Sequence, residues 1–148
     1  MSLKARITED VKLAMKAGDK TRLQTLRMLT AAIKQWEVDE RNDPDDARVL
    51  AIIEKMIKQR RESAEQYRAG GREELAELED AEAELLATYL PEPLSEADLD
   101  TLIAQTIEST GASAMGDMGR VMGELKPRVQ GRADMKQVSA KVRDRLAG

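Results

Sequence analysis

Apolar residues recur every three or four positions along most of this chain, which is the spacing of one face of an α-helix. In the first ninety residues this pattern predicts four helices, at 3–17, about 20–41, roughly 46–69 and about 72–90. Gly18 ends the first, and the glycine pair Gly70-Gly71 separates the last two. Because that connection is so short, the third and fourth helices should form an antiparallel hairpin.

A change of pattern follows residue 90. Pro91 and Pro93 stop the fourth helix, and residues 91–94 read as a short, stiff linker. Beyond it the apolar spacing predicts three shorter helices, at roughly 96–109, about 115–125 and 134–146. The sequence therefore predicts an all-α protein with an N-terminal helical domain over 1–90 and a C-terminal three-helix domain over 95–148.

One ion pair can be predicted inside the hairpin. If the apolar stripe of the third helix is continued by its period, Arg60 falls on the apolar face. The fourth helix is predicted to turn inward a stripe of Leu75, Leu78, Leu85 and Tyr89, and continuing it from Leu78 brings in Glu82. Both residues lie about ten positions from the glycine turn, so an antiparallel hairpin sets them level. We expect Arg60 to pair with Glu82 or with neighbouring Glu79; the alternative is two snorkelling side chains that never meet.

The composition excludes several kinds of chemistry. The 148 residues contain no cysteine and no histidine, which excludes disulfides, thiolate metal sites and every catalytic centre built on a histidine base. The acidic run over 73–84 circles its helix instead of converging, so we expect a solvated face, no metal and no cofactor. With no apolar signal region and no membrane span, a cytoplasmic protein is expected.

Charge is distributed unevenly along the chain. Residues 1–90 carry 16 basic and 19 acidic groups, and residues 91–110 carry five acidic groups and no basic one. Residues 111–148 carry eight basic and four acidic groups, so an acidic protein has a basic end.

Several segments resemble the YqeY-like family. In the N-terminal region the resemblance rests on Leu26-Arg27-Met28-Leu29, Arg60-Arg61-Glu62-Ser63, Gly71-Arg72-Glu73-Glu74-Leu75 and Tyr89-Leu90-Pro91. In the C-terminal region it rests on Asp117-Met118-Gly119-Arg120-Val121-Met122, Leu125-Lys126-Pro127 and Gly131-Arg132-Ala133-Asp134. This second region is similar to the tail domain of the GatB subunit of glutamine-dependent tRNA amidotransferase. The resemblance implies an association with tRNA through the tail, whereas the chemistry lies in other domains.

The resemblance leaves the question of activity open. The family is filed with carbon–nitrogen ligases that use glutamine as amide donor. This chain has no glycine-rich phosphate loop and no serine-rich amidase segment, so we identify no catalytic residue and no self-contained active site.

The candidate RNA-binding residues cluster between the last two predicted helices. They are Arg120, Lys126, Arg128, Arg132 and Lys136, with Asp134 the only acid between 126 and 136. Pro127 and Gly131 are expected to keep much of this segment out of regular helix, so that the side chains reach phosphates. A structural use of Arg132, bonding backbone carbonyls of a helix, is the alternative.

Three hypotheses of function remain. The protein is an accessory module whose C-terminal domain contacts tRNA, an adaptor that docks on a tRNA synthetase or amidotransferase complex, or an enzyme subunit active only within an assembly. None of them predicts a membrane or DNA as a partner. RNA binding should fall steeply with salt, whereas apolar docking should not.

Overall fold

The computed structural model describes all residues, 1–148, and contains seven α-helices and no strand. The predicted all-α fold is confirmed. The chain forms two compact units, which we call the first unit (Met1–Leu90) and the second unit (Pro91–Gly148). Each unit has a hydrophobic core of its own.

The first unit consists of four helices, which are α1 (Leu3–Ala17), α2 (Lys20–Glu40), α3 (Asp46–Ala69) and α4 (Glu73–Ala87). Their starts follow from local side-chain chemistry, since Ser2, Asp19 and Asp45 each accept a hydrogen bond from a free amide of the first turn. Gly18 ends α1 in the left-handed conformation, at φ 70°, where a glycine carries no steric penalty.

The long hairpin of α3 and α4 contains the predicted ion pair. Arg60 Nε donates to Glu82 Oε2 at 3.3 Å, and the two side chains are only 11% and 24% exposed. Glu79 lies close by, and partial burial, reinforced by the charge of Glu82, raises the pKa of its carboxyl. The prediction that Arg60 pairs across the hairpin is therefore confirmed.

The predicted inward face of α4 was wrong in part. Leu78 is 57% exposed, whereas Ala76, Ala83 and Leu86 are fully buried. Small residues allow the two helix backbones to approach closely, so alanines occupy the contact with α3 and a leucine is left outside. The helix also ends at Ala87 instead of 90, because the amides of Thr88 and Tyr89 bond three residues back and tighten the last turn.

The second unit contains three helices and one short 3₁₀ turn. They are α5 (Glu96–Thr110), the 3₁₀ turn (Met115–Asp117), α6 (Met118–Val129) and α7 (Met135–Ala147). Ser95 accepts from the Asp98 amide at the start of α5, and Asp134 accepts from the Lys136 amide at the start of α7. The core of the unit is formed by aliphatic side chains, which are Leu99, Ile103, Val121, Leu125, Val129, Val138, Val142 and Leu146.

The residues before α5 are bonded to the rest of the second unit. The Leu94 amide donates to the Arg132 carbonyl at 2.9 Å, and Arg132 Nε donates to the Glu92 carbonyl at 3.0 Å. The two bonds tie the segment 91–94 to the turn between α6 and α7.

Candidate nucleic-acid interface

The segment 126–134, much of which was expected outside regular helix, is divided: its first four residues belong to α6, whereas residues 130–134 form the turn between α6 and α7. Lys126, Pro127 and Arg128 all belong to α6, so the prediction that proline would exclude them from the helix is wrong. Val121, Leu125 and Val129 recur every four residues and are fully buried, which holds the helix together across Pro127. The carbonyl that would face the proline ring belongs to Gly123, whose backbone adjusts without a side-chain clash.

Helical geometry separates two of the candidate cations. Successive residues of an α-helix are rotated by about 100°, so Lys126 and Arg128 point about 160° apart around the axis of α6. Both side chains are exposed, and neither makes an ion pair. They therefore lie on opposite flanks of α6 and cannot form a single contiguous patch by themselves.

Arg120 is bound to a residue of the 3₁₀ turn that precedes its helix. Its Nη2 donates to Asp117 Oδ1 at 3.0 Å. The amides of Ser113 and Ala114 also donate to Asp117, and these bonds hold the pKa of that carboxyl below its usual range. Arg120 is still more than half exposed, so it can add charge at the surface although its guanidinium is already partnered.

Arg132 has a structural contact that the sequence suggested only as an alternative. Its side chain bonds the carbonyl of Glu92 in the segment before α5, not a carbonyl within a helix. The expectation of a fork reaching freely outward is therefore not what the structure shows. No local pattern reveals this partner, because it lies 40 positions away along the chain.

Lys136 has a neighbour that the sequence analysis missed. Arg143 follows it by seven residues, or about two helical turns, so both exposed side chains lie on the same flank of α7. The opposite flank contains Lys141, whose Nζ contacts Asp100 Oδ1 at 2.7 Å and Glu96 Oε1 at 3.1 Å. The Asp100 contact, with help from Glu96, raises the pKa of Lys141. The spacing of seven was the signal that could have identified Arg143.

The charges of the second unit are separated by element. Helix α5 carries four acidic residues and no basic one, whereas α6 and α7 together carry seven basic and two acidic residues. Only Lys141 links the two sides by ion pairs. The surface of α6 and α7 thus offers exposed cations to an anionic partner.

No group of three or more carboxylates is placed to hold a metal ion. None of the helices combines the length and apolar character that a membrane crossing requires. The pKa values of Arg68, Asp80 and Lys141 are shifted by their ion pairs, and that of Asp117 is lowered by two backbone amides.

Fold and surface together define a two-unit, all-helical protein with a basic C-terminal surface. The chain belongs to the Yqey-like protein family, whose match covers residues 4–146.

Three relatives carry the name "Altered inheritance of mitochondria protein 41, mitochondrial". The protein from Pyrenophora tritici-repentis is 30% identical over 94% of this chain and 78% of its own length. Those from Eremothecium gossypii and Lachancea thermotolerans are 39% and 34% identical over 58% and 70% of this chain. The matches span only 48% and 57% of those two proteins.

These names correct the expected location. The cytoplasmic expectation is contradicted by relatives named as mitochondrial proteins, which point to mitochondria instead. Receptors recognise short targeting segments, so the composition of the helical domains does not determine the location of a protein in the cell.

Proposed function

We propose that this protein is a non-catalytic accessory module that contacts tRNA through α6 and α7 of the second unit. The observation that carries the proposal is a set of exposed cations without ion pairs on these helices. The set comprises Lys126, Arg128, Lys136, Arg143 and Arg145. Because α6 and α7 together carry seven basic and only two acidic residues, the cations that remain unpaired on these two helices favour an external anion.

The proposed contact is with the backbone of folded RNA. All three aromatic residues of the chain, Trp36, Tyr67 and Tyr89, lie in the first unit, so the second unit has no ring on which an unpaired base could stack. Cations without stacking groups suit phosphates and the shape of a double-stranded region. The similarity of this region to the GatB tail supports tRNA as the RNA, whereas the names of the fungal relatives mention neither RNA nor amidation.

A salt titration of tRNA binding tests the proposal. In the triple variant Lys126→Ala/Arg128→Ala/Lys136→Ala we expect at least about tenfold weaker binding and a salt slope reduced by about two to three, because each lost phosphate contact removes close to one released counterion. The matched control is Lys12→Ala/Lys16→Ala/Lys58→Ala, which removes three exposed cations of the first unit.

The outcomes separate the hypotheses. Equal affinity and slope in the triple variant and the control would contradict the proposal. Binding to a tRNA synthetase or amidotransferase complex that is insensitive to salt would favour the adaptor instead. Arg132→Ala is left out of both the triple variant and the control. It would break the hydrogen bond to the Glu92 carbonyl and so change the stability of the second unit.

A further inference from the structure

Helix α2 presents an exposed face that is basic at its ends and apolar in the middle. We call Arg27, Met28, Ala31 and Lys34 the basic stripe; all four are exposed, and Met28 is 39% exposed despite its apolar side chain. No acidic residue occurs in α2 before Glu37. Neither cation of the stripe makes an ion pair, and the only polar contact of Arg27 is with the Met15 sulfur. A groove of about 430 Å³ runs along this face beside Met28 and Ala31.

Helix α4 presents the opposite charge in the same arrangement. We call Glu77, Leu78, Ala81 and Glu84 the acidic stripe; all four are exposed, and Leu78 is 57% exposed. Helix α4 contains no basic residue. Glu77 and Glu84 make no ion pair, although other acids of this helix pair with α3.

The two stripes match position by position. Each has a charged residue, a large apolar residue one position on, an alanine four on and a second charge seven on. With a rise of about 1.5 Å per residue, both pairs of charges are about 10.5 Å apart along their helix axes. In a parallel crossing, the two cations can meet the two carboxylates while the alanines face each other and let the helices approach. An antiparallel crossing also joins the charges but offsets the alanines by one residue, or about 1.5 Å.

We propose that the basic stripe of one copy of this chain docks on the acidic stripe of a second copy. Helices α2 and α4 belong to the same bundle and contact each other, so each copy carries both stripes and a two-fold axis would form the contact twice. Leu78 of each copy then enters the apolar groove beside Met28 of the other. The interface is small and charged, so the dimer should be weak and sensitive to salt.

Sedimentation equilibrium of the full chain, from micromolar to near-millimolar concentration, tests this directly. We expect the wild-type protein to dimerise with rising concentration. Arg27→Glu/Lys34→Glu and Glu77→Lys/Glu84→Lys should each weaken the dimer at least about tenfold, because each sets like charges against each other. A wild-type chain that stays monomeric throughout this range would overturn the proposal.

A mixture of the two charge-reversal variants provides the decisive test. The first variant has two acidic stripes and the second has two basic ones, so an equimolar mixture should form a heterodimer although neither variant dimerises alone. A mixture that stays monomeric, or a homodimer that survives in either variant, would overturn the proposed contact.

Two matched controls keep net charge from explaining the result. Lys12→Glu/Lys16→Glu on α1 and Glu62→Lys/Glu65→Lys on α3 make the same charge changes at exposed positions outside both stripes. Both should dimerise within about threefold of wild type, as expected for surface changes away from a contact. Loss of the dimer in these controls would overturn the assignment to the stripes.

Discussion

The two units of this protein are built from the same kind of helix but use charge differently. In the first unit, arginines of α3 are paired across the hairpin with acids of α4, through the contacts Arg60–Glu82, Arg61–Asp80, Arg68–Glu73 and Arg68–Asp80. In the second unit, acids are concentrated on α5 and cations on α6 and α7, with Lys141 as the one cation that links them. Paired charges can specify the register of two helices, whereas separated charges leave a surface for another molecule.

The hairpin differs from the hydrophobic cores of the two units, because both cores consist mainly of larger aliphatic side chains. The hairpin buries alanines at Ala64, Ala76 and Ala83, which bring the two backbones close enough for the pairs across them. The core of the second unit consists mainly of leucine, isoleucine and valine, which hold three short helices together without ion pairs at the centre. In the second unit, the residues that form the core are therefore separate from the charged residues at the surface.

The separation of the two cores predicts the largest effect. Leu125→Ala should destabilise the second unit by about 3 kcal/mol, and Leu29→Ala should do the same to the first, because each removes a fully buried side chain and leaves a cavity. Hydrogen exchange followed by mass spectrometry should show lost protection in the mutated unit alone. Equal loss of protection in both units would contradict the independence of the cores.

The ion pairs of the hairpin predict an intermediate effect. Arg60→Met should cost about 1–2 kcal/mol, because it leaves the half-buried Glu82 carboxylate without its partner. Arg68→Met is the control and should cost clearly less, since its guanidinium is 42% exposed and water replaces the lost contacts. Urea unfolding of both variants measures the difference. If Arg68→Met lowers the free energy of unfolding more than Arg60→Met does, burial does not determine the strength of these ion pairs.

The raised pKa of Glu79 predicts the smallest effect. Glu79 favours the fold only when protonated, so the stability that it contributes is present below its unfolded pKa and is lost as pH rises through its folded pKa. Glu79→Gln should therefore raise the melting temperature at about pH 7 but not at about pH 3, either side of the ordinary glutamate value near 4.3. An equal gain of Glu79→Gln at both pH values would refute the assignment.

Sequence reasoning identified most helix boundaries because these depend on neighbours along the chain. Ser2, Asp19 and Ser95 accept from amides three residues on, so capping residues and apolar spacing were sufficient to place α1, α2 and α5. The inward face of α4 was harder, since leucines were expected inside and alanines took that place. Alanines are buried there because the backbones of two helices lie close together, and the sequence of one helix alone does not reveal that proximity.

The candidate interface was predictable in composition but not in arrangement. Basic residues of the C-terminal third are evident from the sequence, yet their grouping depends on helix phase, which separates Lys126 from Arg128 and unites Lys136 with Arg143. The contacts of Arg132 depend on a segment far away in sequence. Proline alone was a poor guide at Pro127, because three buried residues of α6 outweighed its preference.

Two hydrogen bonds join the segment 91–94 to Arg132. They determine how short a fragment of the second unit can be made. A fragment that begins at Ser95 would lack the Glu92 carbonyl and the Leu94 amide, leaving the Arg132 side chain and carbonyl without these partners. A gene rearrangement that moves this unit to another protein must likewise carry the four preceding residues. The transferable module therefore begins at Pro91, before its first helix.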